Sequence, residues 1–501
     1  MFKPLSSVEK SDGHSRTPLI VACIEGKTDL AKTLIMKGAD INIADNDGNT
    51  PLYWSCDGGY IDLVNLLLKN GSEKDKQNND RITPLMHACD KGYISIVKRL
   101  IEKGADIHIT DKEGDTAIAW ACNGGKIEIV NLLIRRGLDI HKPNIYGRTP
   151  LLWACEQRHL SVVRHLINRG ADIYITDKQG DTLFSWSCYG GNIDIVNILI
   201  DKGCNIHKPN NYGKTPLMDA CSIGHLSIVN RLLDKGANIN ITDKTGNTPF
   251  SWACFGGNIH IVHLLIDKGC NIHKSNNYGK TPLMDACDKG HLSIVNCLIE
   301  KGVNINITDM KYNTPFSWAC AGGNIDIVKL LIAKHCDIHK PNIYGKTPLM
   351  EACDNGHLSI VNCLIQRDVD INNTDNEGNS IFTWSCFGGS IDIVNILIDK
   401  GCNINKPNIY GKTPLMKACD NGHLSIVKLL IERAVDVNII DRDGNTALAL
   451  AASNDYKDIV NFLTDNARGR HDDCDTVNIT LHENKDEKLY ERIELKKGML
   501  N

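Results

Sequence analysis

Three cysteine–histidine pairs, Cys204 with His207, Cys270 with His273 and Cys336 with His339, repeat the spacing C-x-x-H that could supply half of a zinc site. A structural zinc needs about four such ligands at one point. The copies lie 66 residues apart, and each His stands where Asn240 and Asn306 stand in the intervening copies. A turn role is therefore expected, with no metal. No nucleophile, base and orienting group occur together, and neither a phosphate-cradling loop nor H-E-x-x-H is present. No catalytic residue and no cofactor are assigned, and an enzyme is not expected.

The remaining chemistry is recognition. All seven tryptophans, Trp54, Trp120, Trp153, Trp186, Trp252, Trp318 and Trp384, occupy one register position. Three residues on come Tyr189, Phe255 and Phe387, one helical turn from Trp186, Trp252 and Trp384. In alternate copies the tryptophan position carries Asp219, Asp285, Glu351 or Lys417. Aromatic residues are the usual anchors of protein interfaces, so Trp186, Tyr189, Trp252, Phe255, Trp318, Trp384 and Phe387, with Asp219, Asp285 and Glu351, are candidate partner-binding rungs. Packing between copies is the competing reading for the tryptophans.

A second ladder runs Lys142, Arg148, Lys208, Lys214, Lys274, Lys280, Lys340, Lys346, Lys406 and Lys412, with tyrosines at 146, 212, 278, 344 and 410. Basic and aromatic groups together can hold a nucleic-acid strand or an acidic partner. Of these, Lys208, Tyr212, Lys214, Lys274, Tyr278, Lys280, Lys340, Tyr344 and Lys346 are the candidate residues. Intervening tips carry Asp111, Asp177, Asp243 and Asp309, expected to interrupt such a track, so solvated turn residues are the preferred reading.

The elements that position these groups follow from a 33-residue period. Its register runs Thr17, Thr50, Thr83, Thr116, Thr149, Thr182, Thr215, Thr248, Thr281, Thr314, Thr347, Ser380, Thr413 and Thr446. In the copy from Thr215, the threonine suits an N-cap and Pro216 the first helical position. Leu217, Ala220 and Cys221 recur at helical spacing, and Gly224 stops the helix. Leu226, Ile228, Val229, Leu232 and Leu233 form the apolar stripe of a second helix, which Gly236 closes before a short extended segment around Ile239. Asp243, Lys244, Thr245 and Gly246 make a turn. No single copy can bury its apolar face, so neighbours must stack.

TPL at the start, G-H-L at 224–226 and G-A-x-I-N at 236–240 resemble the ankyrin repeat. The resemblance spans residues 17–467 and implies an all-α repeat solenoid, a helix-turn-helix array with β-hairpin-like loops. It also implies that first helices line the concave face and that His159, His225, His291, His357 and His423 are structural. One departure is the Met of Met218, Met284, Met350 and Met416, or Ser185, Ser251 and Thr383, where the family usually has His. Weaker polar linkage between helices is expected there. Copies alternate between LMDAC and FSWAC types, which suggests duplication of pairs. Duplicated arrays rich in Ile, Asn and Lys resemble the long ankyrin proteins of giant DNA viruses.

Residues 1–16 are expected to cap the first copy through Phe2, Leu5 and Val8, and 468–501 to form a charged tail. A net charge of −4 argues against bulk capture of nucleic acid or anionic membrane. Residues 1–13 have no apolar signal-peptide core, and no apolar run approaches membrane-span length. Thirteen of the 20 cysteines share one register position, one helix spacing (~8–10 Å) from the next copy. That exceeds the ~7 Å limit for a disulfide. They read as small buried hydrophobes in a reducing compartment, the cytoplasm or nucleus, or the host cytoplasm if viral. A monomeric, non-catalytic scaffold for one or more proteins, with host proteins as targets if viral, is the expected function. Nucleic-acid or acidic-partner binding along the lysine ladder is the alternative.

Overall fold

The structure, a computed structural model, describes residues 10–469. The expected cap residues Phe2, Leu5 and Val8 and residues 470–501 of the expected tail lie outside the described residues. Among the described residues are 28 helices, running in pairs from Pro18–Ile24 and Thr28–Met36 to Ala447–Ser453 and Lys457–Gly469. No strand is present among them, and no helix is long and apolar enough to cross a membrane.

The copy from Thr215 shows the local causes. Thr215 has extended backbone and its hydroxyl accepts the Met218 N–H, which starts helix Pro216–Ile223. Gly224, at φ +94°, turns the chain out of that helix. Leu226–Asp234 follows, with Ile228, Val229 and Leu232 fully buried. Leu226 and Leu233 sit half-buried at the edges of the same stripe. First helices pack on the first helices of neighbouring copies, and second helices on second helices. The chain divides into two compact bodies, Met1–Ala286 with Asn296–Val303, and Cys287–Val295 with Asn304–Asn501.

The expected extended segment around Ile239 is instead a turn. Asn238 Oδ1 accepts the Asn240 N–H at 2.9 Å, because a short amide or carboxylate side chain offers the backbone a local partner that competes with strand pairing. His207 and His273 sit at the same turn position and donate their backbone N–H to Asn205 and Asn271 at 2.8 and 2.9 Å. Only isolated bridges, such as Thr176 with Thr182, are strand-like in the tips. Adjacent tips are joined through the backbone, with Lys178 N–H donating to Tyr146 O at 2.9 Å and Lys244 N–H to Tyr212 O at 2.9 Å.

Lost glycines leave a visible trace. Arg158, His335, Asp368, Ala434 and Asp455 stand at glycine positions and all keep positive φ, between +56° and +67°. Ala467 behaves otherwise: it lies inside the closing helix Lys457–Gly469, which does not stop there. At the Met positions, Met218 Sδ accepts the Thr215 N–H at 3.4 Å, and in Ser copies Ser251 Oγ accepts the Thr248 N–H at 2.8 Å.

All thirteen cysteines of the shared register are buried, and no disulfide occurs among the described residues. Burial pushes the Cys23 thiol up to about 11 and the Cys155 thiol up to about 12. A thiol held so far from its thiolate is a poor nucleophile and metal ligand.

Candidate partner-binding surface

The tryptophans are half-buried rungs held by carboxylates. Trp186, Trp252, Trp318 and Trp384 donate their indole N–H to Oδ2 of Asp177, Asp243, Asp309 and Asp375 at 3.0 to 3.2 Å. Each acceptor lies nine residues earlier, and Asp45 with Trp54 and Asp111 with Trp120 follow the same rule at 2.9 Å. The other carboxylate oxygen of Asp243 takes the backbone N–H of Thr245 and of Asn247, both at 2.9 Å.

These aspartates therefore do not interrupt a basic track, as their place in the tips suggested. Asp111, Asp177, Asp243 and Asp309 are 6–8 % exposed and face inward. Helical phase alone did not reveal the clamp, but the fixed nine-residue Asp-to-Trp interval was a signal for it.

The lysine ladder splits in two. Lys208 and Lys274 are exposed, Lys340 is half-buried, and Tyr212, Tyr278 and Tyr344 are 54–64 % exposed. The cations directly before each threonine turn inward instead. Lys214 Nζ sits 2.8 Å from Asp219, 4.4 Å from the ring centroid of Trp252 in the next copy. Lys280 pairs with Asp285 at 3.1 Å. Lys346 pairs with Glu351 at 2.8 Å and Asp354 at 2.6 Å, and lies 4.1 Å from the Trp384 centroid. Arg148 stands between Trp153 and Trp186, at 5.2 and 4.1 Å.

Asp219 and Asp285, read from the sequence as acidic rungs, are only 6 % and 8 % exposed. They hold lysines, each of which roofs a tryptophan where that geometry is described, and this cation–π and ion-pair layer links one copy to the next.

What the surface does present is the aromatic residue three positions beyond tryptophan. Tyr189, Phe255 and Phe387 are 42 %, 38 % and 37 % exposed. Each meets its tryptophan edge-on, with centroids 5.6–5.7 Å apart and interplanar angles of 70–73°. Trp318 has Ala321 at that place.

Helix-two histidines join copies through the backbone. His159, His225, His357 and His423 bring Nε2 within 2.8–3.0 Å of the carbonyls of Asn123, Tyr189, Ala321 and Phe387. In alternate copies Asn258 and Asn324 make the equivalent bond to Gly224 O and Gly290 O at 3.0 and 3.1 Å. No group of three or more metal-ligating side chains converges among the described residues.

This stacking of capped helix pairs is matched by the sequence profile of ankyrin repeats in three copies, over residues 2–80, 85–177, 166–243, 224–309, 316–408 and 382–476. The chain belongs to the ankyrin repeat family. Ankyrin repeats generally mediate protein–protein interaction, and the family is typically non-catalytic. Among solved structures, the human ASB11 ankyrin repeat domain is similar at 27 % identity, over 44 % of this chain and 99 % of that one, with a TM-score of 0.39. No curated protein matches the chain.

Proposed function

We propose that this ankyrin repeat protein is a non-catalytic scaffold that binds one or more proteins through its first-helix face and the tips between copies. The observation that carries this reading is the exposure of Tyr189, Phe255 and Phe387, each directly after a fully buried cysteine, Cys188, Cys254 and Cys386. Each ring is stiffened edge-on by a clamped tryptophan, and rigid aromatic groups anchor interfaces at low entropic cost. The exposed tips, with Tyr212, Tyr278 and Tyr344 beside Lys208, Lys274 and Lys340, extend the surface.

Nucleic acid fits less well. Arg148, Lys214, Lys280 and Lys346 are spent on internal carboxylates and, where described, tryptophans, which leaves about half of the ladder facing water. If the chain is viral, the partners are host proteins.

Crosslinking in the native cell identifies the partners, and the triple variant Tyr189→Ala, Phe255→Ala, Phe387→Ala tests the face. Loss of at least one crosslinked partner is expected. A variant that retains all of them at wild-type affinity removes this face from the interface. Binding to single-stranded nucleic acid that falls steeply with salt would favour the lysine ladder instead.

A further inference from the structure

The layer that ties Lys214 to Asp219 and Trp252 is broken beside Trp120. In the copy from Thr83 the cation is replaced by Ile82 and the acid by His87. His87 turns away to the preceding copy, with Nε2 2.5 Å from Asp57 and Nδ1 3.3 Å from the Tyr53 hydroxyl. Among the described residues no cation lies over Trp120, whereas Trp54, Trp186, Trp252 and Trp384 each have one within 6 Å.

Where the lysine would lie there is a cavity of about 330 Å³, lined by Ile82, Asp111, Asp115, Trp120 and Trp153, with Asp80, Lys112 and Glu113 also on its wall. Its volume is that of a small ligand site. Asp111 and Asp115 are both 6 % exposed. Of the four wall carboxylates, Asp80 is met by Lys112 at 3.2 Å. Asp115 has only neutral donors, Asn144 Nδ2 at 3.0 Å and Trp153 Nε1 at 2.9 Å. Burial pushes its carboxyl up to about 6, with Asp111 and Glu113 adding to the rise. The wall is short of positive charge, and although Arg148 lies 5.2 Å from the Trp153 centroid, the Trp120 face lacks the cation that the array supplies to other rungs.

We propose that this cavity receives the arginine or lysine side chain of a partner protein, its charged head seated against Trp120 as Lys214 is seated against Trp252. The same ring, clamped by the same Asp, accepts a cation from its own chain elsewhere, so the cavity is a preformed socket whose plug comes from outside. Desolvated cation–π contact and unpaired carboxylates reinforce one another in such a site. This gives the scaffold a basic partner at a place separate from Tyr189, Phe255 and Phe387, and it stands or falls independently of them.

The test titrates the full chain with acetyl-Gly-Arg-Gly-amide, its norleucine counterpart and free L-arginine, by calorimetry and tryptophan fluorescence. Saturable binding of the arginine peptide is expected, at least about tenfold tighter than norleucine. Ile82→Lys restores the array's own cation and should weaken peptide binding by about tenfold or more. Asp115→Asn, of nearly the same shape, should weaken it with the helical signal unchanged. Wild-type affinity in both variants, or no saturation by the arginine peptide, overturns the proposal. Tighter binding of free arginine than of the peptide overturns the partner side chain in favour of a small-molecule ligand.

Discussion

Asp243 grips Trp252 through one carboxylate oxygen, Oδ2, 3.0 Å from the indole nitrogen, while its other oxygen ties down two backbone amides of its own turn. One side chain thus fixes both the tip and the rung of the copy. Asp243→Ala leaves these three donors without their acceptor, two of them close to buried surface. A local destabilisation of about 2–4 kcal/mol is expected, since orphaned donors cost more than the net value of the bonds they made. Hydrogen exchange should show loss of protection confined to residues near 243–260, and protection equal to wild type there would refute the clamp.

Two lysines six residues apart in the same tip, Lys208 and Lys214, should differ sharply. Lys214→Met strips the cation from Asp219, which is 6 % exposed, and from the face of Trp252. Lys208 is exposed. The first change should cost about 2 kcal/mol and the second no more than about 0.5, because breaking a buried pair strands a charge whereas a surface lysine is worth little. Urea unfolding of the two variants is the measurement, and equal midpoints would count against an inward Lys214.

Ala434 holds φ at +56° and Asp368 holds the same value, where glycine serves in most copies. A side chain in this left-handed region costs ~1 kcal/mol, so Ala434→Gly and Asp368→Gly should each recover about that much. The copies from Thr314, Thr347 and Thr413, which contain His335, Asp368 and Ala434, should exchange faster than residues 190–300. Uniform protection would contradict the strain.

Asp115 makes stability depend on pH in an unusual direction. Its folded carboxyl is raised by burial from the ordinary 3.8 to about 6, so between these values the folded state binds more protons than the unfolded one. Stability from this group is present in full below about pH 4 and is lost as pH rises through 6. Asp115→Asn should flatten that slope, and a difference scan between variant and wild type from pH 4 to 7 reads it directly. A variant whose stability runs parallel to wild type across this window would show that Asp115 does not titrate there.

The helices, their order and their boundaries were legible because each copy states them locally. Thr215 caps, Pro216 starts and Gly224 and Gly236 stop, and an apolar stripe needs no distant partner to reveal its face. The left-handed strain at Arg158, His335, Asp368, Ala434 and Asp455 was legible too, since only the missing glycine had to be noticed. Ala467 stands at the same register position yet continues the helix Lys457–Gly469.

The candidate surface was only half legible. Trp252 and Phe255 lie on helix Pro249–Gly256 and Asp219 at the matching place on Pro216–Ile223, and periodicity placed them at equivalent positions, but which of them faces water depends on Lys214 reaching across from its own tip to the next copy. Side-chain partners five and nine residues away, as in Lys214 with Asp219 and Asp243 with Trp252, or on the neighbouring copy, are invisible to helical phase. The amino-acid sequence by itself determined a stack of ankyrin helix pairs, because period, caps and glycines act within a few residues of one another. Only the tertiary structure decided that Asp243 points inward, that Asp219 is a lysine holder and that the wall beside Trp120 stands open, because burial and charge pairing are properties of adjoining copies, not of any one of them.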